Sequence, residues 1–80
     1  MTQLGMRKMK DNQTGTIRSI LTDGEMGRRI RDMGLTPGTP IQVLGRAPLY
    51  DPVAIRALGF TLTLRNREAD YIVVDVEDEG

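Results

Sequence analysis

The sequence contains no cysteine, no histidine and no tryptophan, and its only aromatic residues are Tyr50, Phe60 and Tyr71. Without cysteine there is no disulfide staple and no thiolate nucleophile, and without histidine there is no imidazole base. Iron(II) and zinc favour sites built from imidazole or thiolate, so this chain offers a cation only carboxylates, amides, thioethers and water. Weak surface coordination of ferrous or another divalent ion by Glu68, Asp70 or the acidic tail is open, but no dedicated metal or cofactor site is expected. A nucleophilic hydroxyl needs a neighbouring base, and Ser19 lies within a strand-like run with none nearby. Phosphate-cradling patterns are missing too: there is no G-x-x-x-x-G-K-[ST] and no G-x-G-x-x-G. Taken together these absences argue against an enzyme.

No apolar run approaches the roughly 18 residues that cross a bilayer. The opening MTQLGMRKMK is basic but has no apolar stretch behind it, so it is not a secretory leader. The expectation is a cytoplasmic chain without membrane insertion, and the lack of cysteine fits a reducing compartment. Eighty residues suit one domain near the lower size limit of independent folding. We expect a single domain over 1–80, its core about 15–76, with flexible termini.

Eleven basic and eleven acidic residues cancel, but unevenly. Residues 1–32 hold Arg7, Lys8, Lys10, Arg18, Arg28, Arg29 and Arg31 against four acids, whereas from Asn66 onward six acids face Arg67 alone. Such asymmetry reads either as a solvated surface or as a basic face for a partner.

Gly15 to Leu21, β-branched and preceded by a turn-prone DNQT, reads as a strand. Thr22-Asp-Gly-Glu25 has the capping-box pattern. Met26, Ile30 and Met33 then form one apolar stripe at helical spacing, leaving Arg28, Arg29 and Arg31 toward solvent. Gly34 suits the left-handed position after a helix, with Leu35 folding back on Ile30. Thr36-Pro37-Gly38-Thr39 has type II turn chemistry and leads into a strand from Pro40 to Arg46. Ala47-Pro-Leu-Tyr-Asp-Pro52 is a loop whose Ala47 and Asp51 each precede proline and are pushed to extended conformations; Leu49 and Tyr50 project from this stiff arch. Val53–Leu58 reads as a strand, Gly59 as a turn, and Phe60–Leu64 as a strand with Phe60, Leu62 and Leu64 facing inward. Asn66 can cap a single helical turn before a last strand, Tyr71 to Val76.

Five or so short strands, one short α-helix and a helical turn before the last strand predict a mainly β, small SH3-like barrel. Small barrels often bind nucleic acid, and Asn12 to Ile20 has the glycine-then-apolar look of the KOW element. Three aromatic residues and zero net charge weaken that reading.

Several short motifs then combine: Met33-Gly34-Leu35-Thr36-Pro37-Gly38, Ala47-Pro48-Leu49 with Asp51-Pro52, Gly59-Phe60 to Leu64-Arg65, and Glu68-Ala69. In this order and spacing, over about residues 15–76, they resemble the bacterial ferrous-iron transport protein A (FeoA) family. The resemblance implies an SH3-like barrel. It also implies a non-enzymatic cytoplasmic accessory of ferrous iron uptake that binds and regulates FeoB, a membrane permease with a GTP-binding domain, and is recruited by it to the inner face of the membrane. Family members are often catalogued as binding transition metal ions, and the same barrel occurs in metal-dependent repressors. The alternatives are therefore a nucleic-acid-binding barrel and a regulatory domain that binds transition metal directly. Loops are the usual partner contacts of such barrels, so the expected partner-binding residues are Leu49, Tyr50 and Asp51, with Arg28, Arg29 and Arg56 as charged neighbours.

Overall fold

A computed structural model describes residues 2–77. The acidic residues Asp78 and Glu79 lie outside the described residues. Six strands run in chain order: β1 (Thr2–Gly5), β2 (Thr14–Ile20), β3 (Pro40–Arg46), β4 (Val53–Ala57), β5 (Phe60–Leu64) and β6 (Ile72–Val76). They form one antiparallel sheet in the order β1-β6-β2-β3-β4-β5. A helix α1 (Gly24–Asp32) lies between β2 and β3, and a single turn α2 (Asn66–Ala69) lies between β5 and β6. The mainly β, barrel-like architecture is as expected, though the sheet curls without closing.

The strand patterns follow burial. In β3, Ile41 and Val43 point into the core while Gln42 is half-buried. Leu44 is outward by the same alternation, and a bulge between Val43 and Gly45 then shifts the register so that Arg46 pairs with the core residue Val53. A one-residue irregularity of this kind redirects the side chains that follow it. In β2 a similar shift lies between Ile17 and Ser19. The core is a single cluster of apolar side chains, among them Ile17, Ile30, Leu35, Val43, Ile55, Leu64, Ile72 and Val74.

The C-terminus of α1 forms as its sequence indicates. Gly34 sits at φ 89 and donates its N–H to the Arg31 carbonyl at 2.8 Å, while the Leu35 N–H reaches the Ile30 carbonyl at 3.4 Å. These two bonds are the Schellman pattern, and the side chains of Leu35 and Ile30 are both fully buried. The turn at Thr36–Thr39 closes through the Thr39 N–H and the Thr36 carbonyl at 3.1 Å, with Gly38 at φ 95.

Four expectations are corrected. The N-terminal segment is not a loose end: β1 pairs with β6, the turn Met6–Lys8 follows it, and Met6 and Met9 are core residues. Arg46 secures this segment, donating from Nη2 to the Arg7 carbonyl at 2.8 Å. At the start of α1, the Thr22/Glu25 box does not form. The helix is capped one residue later, at Asp23, with no side-chain cap bond, and the Thr22 hydroxyl donates instead to the Asp23 carbonyl at 3.1 Å. In β5, Phe60 shares a face with Leu62 and Leu64 but extends past the edge of the core and is 70% exposed. Finally, Arg65, not Asn66, is the N-cap of α2.

Candidate functional site

The arch between β3 and β4 starts as a tight turn. The Tyr50 N–H donates to the Ala47 carbonyl at 2.7 Å, and the Ala47 N–H returns to the Pro52 carbonyl at 3.1 Å. Pro48 in this turn has its φ fixed by its ring. The Asp51–Pro52 peptide is cis. Tyr50 has φ 62, a left-handed conformation that bulky residues seldom adopt. Such a residue persists only where its surroundings over-determine it, and here they do: the Tyr50 carbonyl also accepts from Asn66 Nδ2 at 3.0 Å.

This places an apolar pair in the open. Leu49 is 88% exposed and Tyr50 72%. Neither reaches the core, so the backbone is rigid while both side chains remain free. Asp51 behaves differently. Its Oδ1 accepts the Asn66 N–H at 3.0 Å, which makes it a carboxylate cap on the first residue of α2, where helix N–H groups lack partners.

The site continues through α2. Glu68 Oε1 accepts the Arg65 N–H at 2.9 Å, and Glu68 Oε2 faces Arg29 Nε at 3.4 Å with its side chain only 4% exposed. Arg29 thus joins α1 to the turn that holds the arch. Arg28 lies beside it on α1, exposed, along a shallow hollow with Glu25, Asp32 and Met33. Arg56 is elsewhere. It stands on the polar face of β4, paired across the sheet with Gln42 and Thr61, whereas the arch joins β4 at its Val53 end. The structure therefore gathers Leu49, Tyr50, Asp51 and Arg29 through one bonded frame, keeps Arg28 alongside, and leaves Arg56 apart.

Sequence reasoning missed Asn66 and Glu68 as the fasteners of this frame. A loop-to-helix bond across 15 positions has no local signature. The glutamate three residues after Arg65 was the one available signal, because a carboxylate at that position reaches back to the N-cap N–H. The same geometry corrects the suggestion that Glu68 could coordinate a metal at the surface, since it is buried against Arg29. Asp70 is engaged with Arg7 at 3.1 Å. Among the described residues, no group of three or more His, Cys, Asp or Glu side chains is placed to hold a metal ion.

The family model described as the FeoA domain matches residues 4–76. This chain belongs to the FeoA family. A FeoA-like protein from Clostridium acetobutylicum is 36% identical with a TM-score of 0.91, the match covering 100% of this chain and 94% of that one. The FeoA protein of Chlorobium tepidum is 33% identical with a TM-score of 0.85, covering 96% and 75%. Stenotrophomonas maltophilia FeoA, solved with zinc and described as a prokaryotic SH3 domain protein, is 20% identical with a TM-score of 0.78, covering 90% and 89%; at that identity the likeness shows the SH3-like fold alone. No curated protein sequence matches. The motifs that carry the resemblance have physical roles here: Gly34 ends α1, Asp51 caps α2, and the Glu68-Ala69 pair supplies a buried cap and a core residue. No helix among the described residues is long and apolar enough to cross a membrane.

Proposed function

We propose that this FeoA-family chain is a non-enzymatic cytoplasmic accessory of ferrous iron uptake. It docks its 47–52 arch on a FeoB-type GTP-dependent iron transporter, regulates it through that contact, and is thereby recruited to the inner face of the membrane. The observation that carries the reading is the pairing of a locked backbone with two exposed apolar side chains, Leu49 and Tyr50. Burying a side chain of this size contributes about 1.5–3 kcal/mol, and a loop already fixed by its own hydrogen bonds loses little entropy on docking. Arg28 and Arg29 stand close enough to the frame to steer an acidic partner surface, while Arg56 contributes only if the contact extends across the sheet.

Iron uptake in cells that carry a Leu49→Asp/Tyr50→Ala chain tests this function. Uptake should fall to the level of cells lacking the protein, while the purified variant keeps its fold. Undiminished uptake by a folded variant would overturn the proposal. The nucleic-acid reading is separated by a salt titration, because phosphate binding weakens steeply and linearly in log salt concentration.

A further inference from the structure

The second exposed apolar feature is far from the arch, at the other end of β4. There the turn Leu58–Gly59 joins β4 to β5, with Leu58 at φ 55 and Gly59 at φ 80. Leu58 is 59% exposed and Phe60 70%. Strand β5 is the edge of the sheet, and among the described residues no strand pairs with its outer side. Its register fixes which groups are open. Phe60, Leu62 and Leu64 pair with Ala57, Ile55 and Val53. After a two-residue turn, the flanking Ala57–Phe60 pair is hydrogen-bonded, and bonded pairs alternate from there. The main-chain N–H and C=O of Thr61 and Thr63 therefore point outward, and both residues are exposed.

Edges of this kind are normally blunted by lysine, proline, bulges or a covering segment. Phe60-Thr-Leu-Thr-Leu64 has no charge and no proline, and its pairing with β4 is regular throughout. The opposite edge strand, β1, is followed within three residues by Arg7 and Lys8.

We infer that β5 pairs antiparallel with β5 of a second copy of this chain, across a two-fold axis through Leu62. The strand is self-complementary about that axis. Thr61 faces Thr63 of the second copy, and each pair can exchange both main-chain hydrogen bonds. On the core side, half-buried Leu62 meets its own counterpart, and the exposed ring of Phe60 reaches diagonally to Leu62 of the second copy, Leu64 being already buried. No charged residue lies between Ala57 and Leu64, so two identical edges approach without repulsion, which a partner chosen by charge would not require. One strand edge and one ring bury less than the roughly 1,200 Å² of stable complexes, so the pairing is weak and concentration-dependent. Its register sets the Leu58–Gly59 turn of the second copy beside Arg65, at the end of β5 that pairs with Val53 and leads into α2.

Sedimentation and amide exchange on the full chain, from tens of micromolar to millimolar, test the pairing. A monomer–dimer equilibrium is expected, with exchange at Thr61 and Thr63 slowing by about tenfold as the dimer fills. Phe60→Lys should abolish both effects. Thr63→Pro should do the same, because it removes an outward N–H and leaves the bonds to β4 intact. A chain that stays monomeric at millimolar concentration overturns the inference. So does a dimer that is indifferent to Phe60→Lys or that protects amides away from β5.

Discussion

Asp51 and Asn66 are joined by a carboxylate-to-backbone hydrogen bond of 3.0 Å, and the Asn66 side chain returns the contact by donating to the Tyr50 carbonyl at 3.0 Å. This reciprocal clasp welds the arch to α2. It explains how an exposed tyrosine is kept in a left-handed conformation.

Replacing Asp51 with alanine removes a charged helix cap. The expected cost is about 1–2 kcal/mol, or a Tm lowered by roughly 4–8 °C per kcal/mol in a domain of this size. Asp51→Asn keeps an acceptor oxygen and should lose about half as much. Thermal unfolding of the two variants checks the order; equal stability of Asp51→Ala and the parent would remove the cap from the account.

The two arginines on α1 should separate. Arg29 faces the buried Glu68 carboxylate, whereas among the described residues no ion pair is found for Arg28. Arg29→Ala leaves that carboxylate without its counter-charge and should cost about 1–2 kcal/mol, a value kept below that of a fully buried pair because Arg29 itself is largely exposed. Arg28→Ala should stay within about 0.5 kcal/mol. A double-mutant cycle with Glu68→Ala measures the coupling, which should vanish for Arg28.

Two glycines in strands should respond in opposite ways. A Cβ on Gly15 would lie 2.5 Å from Val74 Cγ1 and 2.8 Å from the Asp75 carbonyl oxygen, whereas a Cβ on Gly45 meets nothing within 4 Å. Since a carbonyl of the neighbouring strand cannot step aside, Gly15→Ala should destabilise by about 1–3 kcal/mol. Gly45→Ala should be neutral or gain up to about 1 kcal/mol by restricting the unfolded chain. Urea titration of both variants decides it.

The parts of the fold that could be read from sequence were those with local causes. The end of α1 at Gly34-Leu35, the type II turn at Thr36–Thr39 and the strand from Pro40 to Arg46 each depend on residues within a few positions of one another. The N-terminal strand escaped notice because Thr2–Gly5 has no alternating pattern and becomes a strand only by pairing with β6, some seventy positions away. Met6 and Met9 look like residues of a basic tail until that pairing carries them into the core. Phe60 misled for the opposite reason: its alternation with Leu62 and Leu64 is correct, but β5 is an edge, and facing the core side of a sheet does not ensure cover at its margin. For the site, the exposure of Leu49 and Tyr50 followed from the two prolines that brace the arch. The clasp to Asn66 and the Arg29–Glu68 pair are tertiary contacts with no local pattern.

The central claim is that the arch is a docking surface. The most direct measurement is an NMR titration of the labelled chain with the soluble cytoplasmic part of a FeoB-type transporter from the same genome. The account predicts shift changes concentrated on Leu49, Tyr50 and Asp51, extending through Asn66 to Arg29 and Arg28, and absent from the Leu49→Asp/Tyr50→Ala variant. Binding that leaves the arch unperturbed, or that the variant retains in full, would contradict it.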